Sequence, residues 1–330
     1  MLFRSTIMVV VGVMSGFLSN TGTAAVLIPV VIGVAAKSGF TRSRLLMPLV
    51  FAAALGGNLS LIGAPGNLIA QSALQNIGSG FGFFEYAKVG LPMLVCGIIY
   101  FLTIGYKFLP NNPNSSEVGS IGEQRDYSHV PRWKQILSLV VLIATILGMI
   151  FEKQTGISLA VAGCIGALVL VVTGVLSEKQ AYKAIDSQTI FIFGGTLALA
   201  KALEMTGAGK LVADQVIGML GNNSSPFMLL VVVFALSVVM TNFMSNTATV
   251  ALLVPVSLSI AAGMGADPRA VLMATVIGSS CAYATPIGMP ANMMVLSAGG
   301  YKFVDYAKSG IPLIIVSTIV SLILLPILFP

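Results

Sequence analysis

The sequence predicts an all-α polytopic membrane protein with two inverted-topology repeats, each holding a re-entrant helical hairpin and an interrupted transmembrane helix. Three observations predict it. Of the 330 residues, 56% are hydrophobic and 8% charged, with mean hydropathy +0.97, whereas about a quarter of a soluble domain is charged. Apolar runs near the ~20 residues that cross a bilayer recur along the chain. Three blocks of sequence also occur twice, in the same order.

The repeated blocks set the domain plan. "FLSNTGTAAVLIPVV" (17–31) aligns with "FMSNTATVALLVPVS" (243–257) at an offset of 226, and "GAPGNLI" (63–69) with "GMPANMM" (288–294) at 225. "FEYAKVGLPMLV" (84–95) aligns with "VDYAKSGIPLII" (304–315) at 220. Residues 1–109 form the first repeat, 110–132 a polar linker rich in Pro, Asn, Ser and Gly, and 133–330 the second repeat. The second repeat has some 110 residues ahead of its Ser-Asn-Thr and the first has 18. By its own symmetry the first repeat is therefore expected to lack roughly a hundred N-terminal residues, so that a non-transporting fragment is one reading of the chain. The opening "MLFRSTIMVVVGVMSGFLSNTGTAA" has the make-up of a secretory signal, but its continuation recurs at 243–257, which assigns it to the transmembrane body.

In order, the elements expected are a hairpin over 3–37 with arms too short to span separately, an interrupted helix over 45–75 and a span over 86–108. After the linker come spans over 133–151 and 157–176 and a helix over 188–204. A second hairpin (226–263), a second interrupted helix (269–298) and a last span (306–329) complete the set. If each hairpin returns to the side it came from, one side collects Arg4, Lys37, Arg42, Arg44, Lys107, Arg125, Arg132, Lys134, Lys179, Lys183, Lys302 and Lys308. The other collects Lys88, Lys153, Lys201, Lys210 and Arg269. Twelve against five places the linker in the cytoplasm of a cytoplasmic (inner) membrane protein and turns the repeats opposite ways, as in secondary transporters.

The chemistry lies in polar residues set into apolar helices. Broken helical backbone survives in a bilayer only where protein or a water-filled cavity satisfies it. A hairpin turning at Ser19-Asn20-Thr21 or Ser245-Asn246-Thr247 frees helix-end amides that suit an anion. Its Asn and Ser oxygens, with freed carbonyls, suit Na+. Ser15 and Thr241 each precede their motif's serine by one helical turn. The segments 56–68 and 278–293 put Gly63, Pro65 and Asn67, and Pro286, Gly288, Pro290 and Asn292, inside apolar helices, which is the sequence mark of a transport site. Helix packing by small polar residues is the alternative, and the duplication of both features weighs against it.

Other classes are excluded by what is missing. No His, Lys or Asp pair sits at membrane depth beside the Ser and Thr groups, so an intramembrane enzyme is not expected. The +6 charge lies in short loops and does not mark a nucleic-acid binder. Cys96, Cys164 and Cys281 lack paired spacing, and His129 stands alone, so Na+ is the one metal expected. The carboxylates fall at or near helix ends, favouring Na+ over H+ coupling. Glu85-Tyr86 and Asp305-Tyr306 read as interfacial anchors, with Lys88 and Lys308 beside them.

Paired Ser-Asn-Thr motifs, each followed by a Gly/Pro-rich break ending in Asn, resemble the divalent anion:sodium symporter family of the wider ion-transporter superfamily. "YATPIGMPANMMVLSAGGYKFVDYAKSGIPL" (283–313) is similar to the family's C-terminal block, and "VTGVLSEKQAYKAIDSQTIFIFGG" (172–195) to the entry of its second repeat. The resemblance implies a homodimer whose transport domains slide against a scaffold, carrying sulfate or a di- or tricarboxylate with Na+ and using no other cofactor. It places one Na+ at Ser15, Ser19, Asn20 and the Gly63 backbone, and another at Thr241, Asn246 and the Gly288 backbone. The anion would face Ser19, Asn20, Ser245, Asn246 and Thr247. Dicarboxylate-carrying members have a hydroxyl residue where this chain has Ala64 and Met289, which leaves sulfate, another oxyanion or a bulkier organic acid open. A proton-coupled or exchange-type citrate or arsenite carrier is the alternative within the superfamily.

Overall fold

Apolar sequence with few charges leaves the backbone to satisfy itself, and helices do so within one segment. In the computed structural model every regular element among the described residues is a helix. The described residues are 2–112, 130–185, 187–208, 211, 214, 215, 218 and 225–329. Most of the linker, including Arg125 and His129, lies outside them, as does Lys210. Contacts divide the chain into one unit of residues 1–122 and 192–330 and a second of 123–191.

The larger unit opens with α1 (Leu2–Leu18) and α2 (Asn20–Ser38), followed by α3 (Ser43–Gly56), α4 (Pro65–Gln75) and α5 (Ala87–Thr103). Its later part holds α11 (Pro226–Thr241), α12 (Asn246–Met264), α13 (Pro268–Ser279), α14 (Pro290–Ala298) and α15 (Phe303–Leu328). Packing in one half is mirrored in the other: α1 on α2 and α3 matches α11 on α12 and α13, and α3 on α5 matches α13 on α15. The halves also interlock, because α4 packs on α12 and α13 while α14 packs on α2 and α3. Helices α5 and α15 run antiparallel, since Tyr100 hydroxyl donates to Ser309 O at 3.0 Å and Ser321 Oγ meets Met93 Sδ at 3.3 Å.

The hairpin arms differ from expectation. Helices α2 and α12 run 19 residues each and, like α15 and the helix Arg132–Ile150, are long and apolar enough to cross a membrane by length and composition. Pro29 and Pro255 are carried inside these helices without ending them, as happens where neighbouring helices satisfy the freed carbonyl.

Charges collect at two ends of this unit. At one end Arg4 lies 5.6 Å from the Tyr106 ring, Thr41 bonds Asn111, Asn112 Nδ2 donates to Gly300 O, and Tyr301 hydroxyl donates to Ser43 O. At the other, Arg269 Nη2 meets Glu85 Oε1 at 2.5 Å and stacks over Phe81 and Phe329. Arg4, Arg42, Arg44, Lys107 and Lys302 thus mark one end and Lys88 and Arg269 the other, the grouping drawn from the charge count.

The smaller unit is a helical hairpin of α6 (Arg132–Ile150), the short α7 (Glu152–Thr155) and α8 (Leu159–Val172), closed by α9 (Glu178–Ala184). Gly156, at φ 68°, turns the chain after α7, and Ser158 and Ser177 cap α8 and α9. Gly166 leaves room for the Thr145 side chain, which brings α6 and α8 together. Helix α10 spans Ser187–Thr206.

Candidate ion and anion site

Each hairpin tip is built by its own serine. Ser19 Oγ accepts from the Gly22 amide at 3.3 Å and Ser245 Oγ from the Ala248 amide at 3.2 Å, so each caps the N-terminus of the helix that follows. The backbones differ. Ser245 has an ordinary φ of −65°, whereas Ser19 has φ 66° and ψ 156°, the one non-glycine residue with positive φ among those described. Such a conformation costs about 1–3 kcal/mol. The cause is visible in sequence, where TNFMSN carries Asn242 and SGFLSN carries Gly16. Asn242 holds its loop by donating to Val238 O (2.7 Å) and Cys281 O (3.2 Å) and accepting from the Ala284 amide (2.9 Å). Gly16 offers no side chain for this, and α1 runs on to Leu18.

The helix breaks are closed by their asparagines. Asn67 Nδ2 donates to Gly57 O at 3.0 Å and Ser60 O at 2.8 Å, and Asn292 Nδ2 to Ala282 O at 2.8 Å and Thr285 O at 3.0 Å. Pro65 and Pro290 start α4 and α14 without needing an amide partner. Pro286 lies buried within the second break, at the position where Leu61 donates its amide to Phe83 O in the first. Ser60 Oγ donates to Gly16 O and Thr285 Oγ1 to Asn242 O, tying each break to its hairpin. Asn58 Oδ1 accepts from Ser280 Oγ at 2.9 Å and joins the two breaks directly.

Tyr86 and Tyr306 are not interfacial anchors. Both are fully buried, and their hydroxyls donate to Asn67 O at 3.3 Å and Asn292 O at 2.7 Å. They reach these positions because Gly90 and Gly310 let α5 and α15 press on the breaks, where a Cβ would overlap the carbonyls of Asn58 and Tyr283. Repetition at the 220 offset marked both tyrosines in the sequence; their acidic neighbours suggested the wrong environment.

Around each tip, neutral polar groups converge. Ser15 Oγ donates to Ala53 O at 2.7 Å and lies 3.1 Å from the Asn20 carboxamide. That end is the NH2, which donates to Ser15 Oγ at 3.1 Å, Ala53 O at 3.1 Å and Gly63 O at 3.2 Å. In the other half Thr241 Oγ1 donates to Ser279 O at 2.5 Å and lies 3.1 Å from Asn246 Oδ1. Gly288 lies against Thr241 O, where a Cβ would come within 2.5 Å. Ser15, Asn20 and Gly63 therefore meet, as do Thr241 and Asn246, with Gly288 beside Thr241. Ser19 is turned toward its own helix. The carbonyls of Ala53 and Ser279 belong to both groups and share the 226 offset, although backbone atoms leave no mark in residue type. Hydroxyl, amide and carbonyl oxygens without a carboxylate are the donor set of a weakly charged hard cation.

The two asparagines differ in exposure. Asn20 is 7% exposed, while Ser245, Asn246 and Thr247 are half-buried.

The citrate transporter family matches this chain over residues 1–278 and again over 149–330. The chain belongs to that family. This citrate transporter family member is 31% identical over 314 residues to an uncharacterized transporter of Methanocaldococcus jannaschii, which covers 93% of this chain and 69% of the relative. It is 23% identical over 363 residues to the sodium-dependent dicarboxylate transporter SdcS of Staphylococcus aureus, covering 98% and 68%. In fold it is similar to the crystal structure of the Alcanivorax borkumensis YdaH transporter, with a TM-score of 0.68 at 17% identity over 99% of this chain and 79% of that one. The protein is a multi-pass membrane transporter of the citrate transporter family.

Proposed function

We propose that the protein couples Na+ to the uptake of a small anion by an elevator type of alternating access across the cytoplasmic membrane. The oxygen cluster of Ser15, Asn20, Ala53 and Gly63, repeated in kind at Thr241, Asn246 and Ser279, carries this reading. One Na+ at each tip turns the asparagine oxygen inward, which leaves the amide NH2 facing the space between the hairpins. The amides at the starts of α2 and α12, with Ser245, Asn246 and Thr247, then receive the anion. Binding is ordered by charge: the neutral tips hold an anion poorly until Na+ arrives. Antiparallel α5 and α15, and the interlocked α4 and α14, support two repeats of opposite orientation, with residues 110–132 as a cytoplasmic linker and residues from 133 onward contributing the scaffold of a homodimer. The named Na+ dependence of SdcS favours Na+ as coupling ion.

The test is uptake of labelled sulfate, succinate and citrate into proteoliposomes, with and without an inward Na+ gradient, for the wild type, Asn20→Ala and Asn246→Ala. Na+-driven uptake that falls at least about tenfold in both variants is the expected result. Uptake driven equally by a proton gradient in Na+-free buffer would replace Na+ with H+ as coupling ion.

A further inference from the structure

The two asparagines do not face equal neighbours. One end of the Asn20 carboxamide sits among Ser15, Ala53 and Gly63, and its other end lies 3.7 Å from Met289 Sδ. A thioether is a weak acceptor and donates nothing. Met289 is 2% exposed and stands just ahead of Pro290 with extended backbone (φ −144°), and its buried side chain lies against Asn20. By the same interlocking, α4 packs on α12 as α14 packs on α2, and the residue at the equivalent place is Ala64, also extended at φ −144°. A methyl group reaches far less than a thioether chain. Met289 therefore covers the first hairpin's asparagine, and Ala64 leaves the second hairpin's half open.

The geometry points to Met289 as the residue that sets substrate class: the site takes a compact oxyanion with one charged head, seated at Asn246, and refuses anions that need a second head at Asn20. This rests on the anion-transport reading above. An oxyanion oxygen at an amide NH2 forms a short, charge-assisted bond. The Met289 sulfur stands where the oxygen of a second carboxylate would have to go. Sulfate fits such a site; succinate and citrate, with carboxylates at separate ends, do not.

Sulfate and succinate uptake are compared in proteoliposomes for the wild type, Met289→Ser, Met289→Ala, Met289→Leu and Ala64→Met, each checked for a monodisperse, cooperatively melting protein. The wild type is expected to favour sulfate. Met289→Ser and Met289→Ala should raise the succinate-to-sulfate ratio by about tenfold or more, the range typical of one pocket contact. Met289→Leu should keep the sulfate preference, because bulk does the covering, and Ala64→Met should lower sulfate uptake. If the wild type carries succinate as well as sulfate, or if opening Met289 leaves the ratio unchanged while transport persists, the assignment is overturned and the transport reading stands. Should the folded wild type and all variants move no anion under any Na+ gradient, the transport reading fails and this assignment falls with it.

Discussion

Asn67 and Asn292 each hold two backbone carbonyls that a broken helix has freed, and each is in turn held through its own carbonyl by a buried tyrosine. Removing the amide strands buried acceptors, which costs more than the net value of the bonds themselves. Asn67→Ala and Asn292→Ala are expected to destabilise the detergent-solubilised protein by about 2–4 kcal/mol, and Tyr306→Phe by about 1 kcal/mol, read as ordered losses in thermal melting. Asparagine inside an apolar, Gly/Pro-rich run is legible in sequence because nothing in lipid would tolerate it idle. The burial of the tyrosines is not legible, because an aromatic beside an acidic residue at the start of an apolar run has the same appearance at an interface as in a core. Which backbone oxygens the tips gather, those of Ala53 and Ser279, no residue type could reveal.

At the level of elements, glycine decides where helices touch. A Cβ on Gly90 or Gly310 would overlap a carbonyl oxygen of the break beneath, while Gly33, within α2, has nothing within 4 Å of its place. Gly90→Ala and Gly310→Ala are expected to lose folded, monodisperse protein in size-exclusion chromatography. Gly33→Ala should be neutral or slightly stabilising, since an open helical glycine costs about 0.5–1 kcal/mol against alanine. The hairpins, the breaks and the spans were readable from apolar run length and from Gly/Pro interruption. The lengths of α2 and α12 were not, because Pro29 and Pro255 look in sequence like helix ends, although packing lets both helices run through them. Helices α7 and α9, of four and seven residues, are too short to leave a periodic signal. The contrast between Ser19 and Ser245 was latent in one difference, Gly16 against Asn242.

In the larger unit, the described charges gather at the ends. Burial of Glu85 would raise its carboxyl pKa, but the Gly82 amide, Arg269 and Lys88 together outweigh burial and hold it below the usual carboxylate range. A lowered folded-state pKa means that the stabilisation is fully present above the ordinary glutamate value of about 4.3. It is lost as pH falls through the depressed value. The melting temperature of the wild type should therefore drop below about pH 4 more steeply than that of Glu85→Gln, which should already melt lower at pH 7. The mirrored packing of the two halves was legible because repeated blocks leave a mark in self-similarity. The interlocking of α4 with α12 and α14 with α2 was not, since no local pattern records which half supports which.

That interlocking has a consequence for biosynthesis. Asn58 in the first break finds its side-chain partner in Ser280, 222 residues later. At about 5–20 residues per second, the first break waits roughly 10 to 45 seconds for that partner to be made. Throughout that interval a nascent chain holds an unfinished polar segment at the membrane, so the insertion machinery must shelter it and release it late. A crosslinker placed at residue 58 should contact that machinery until the second half has emerged, and the two halves made as separate chains should mature only when they are produced together.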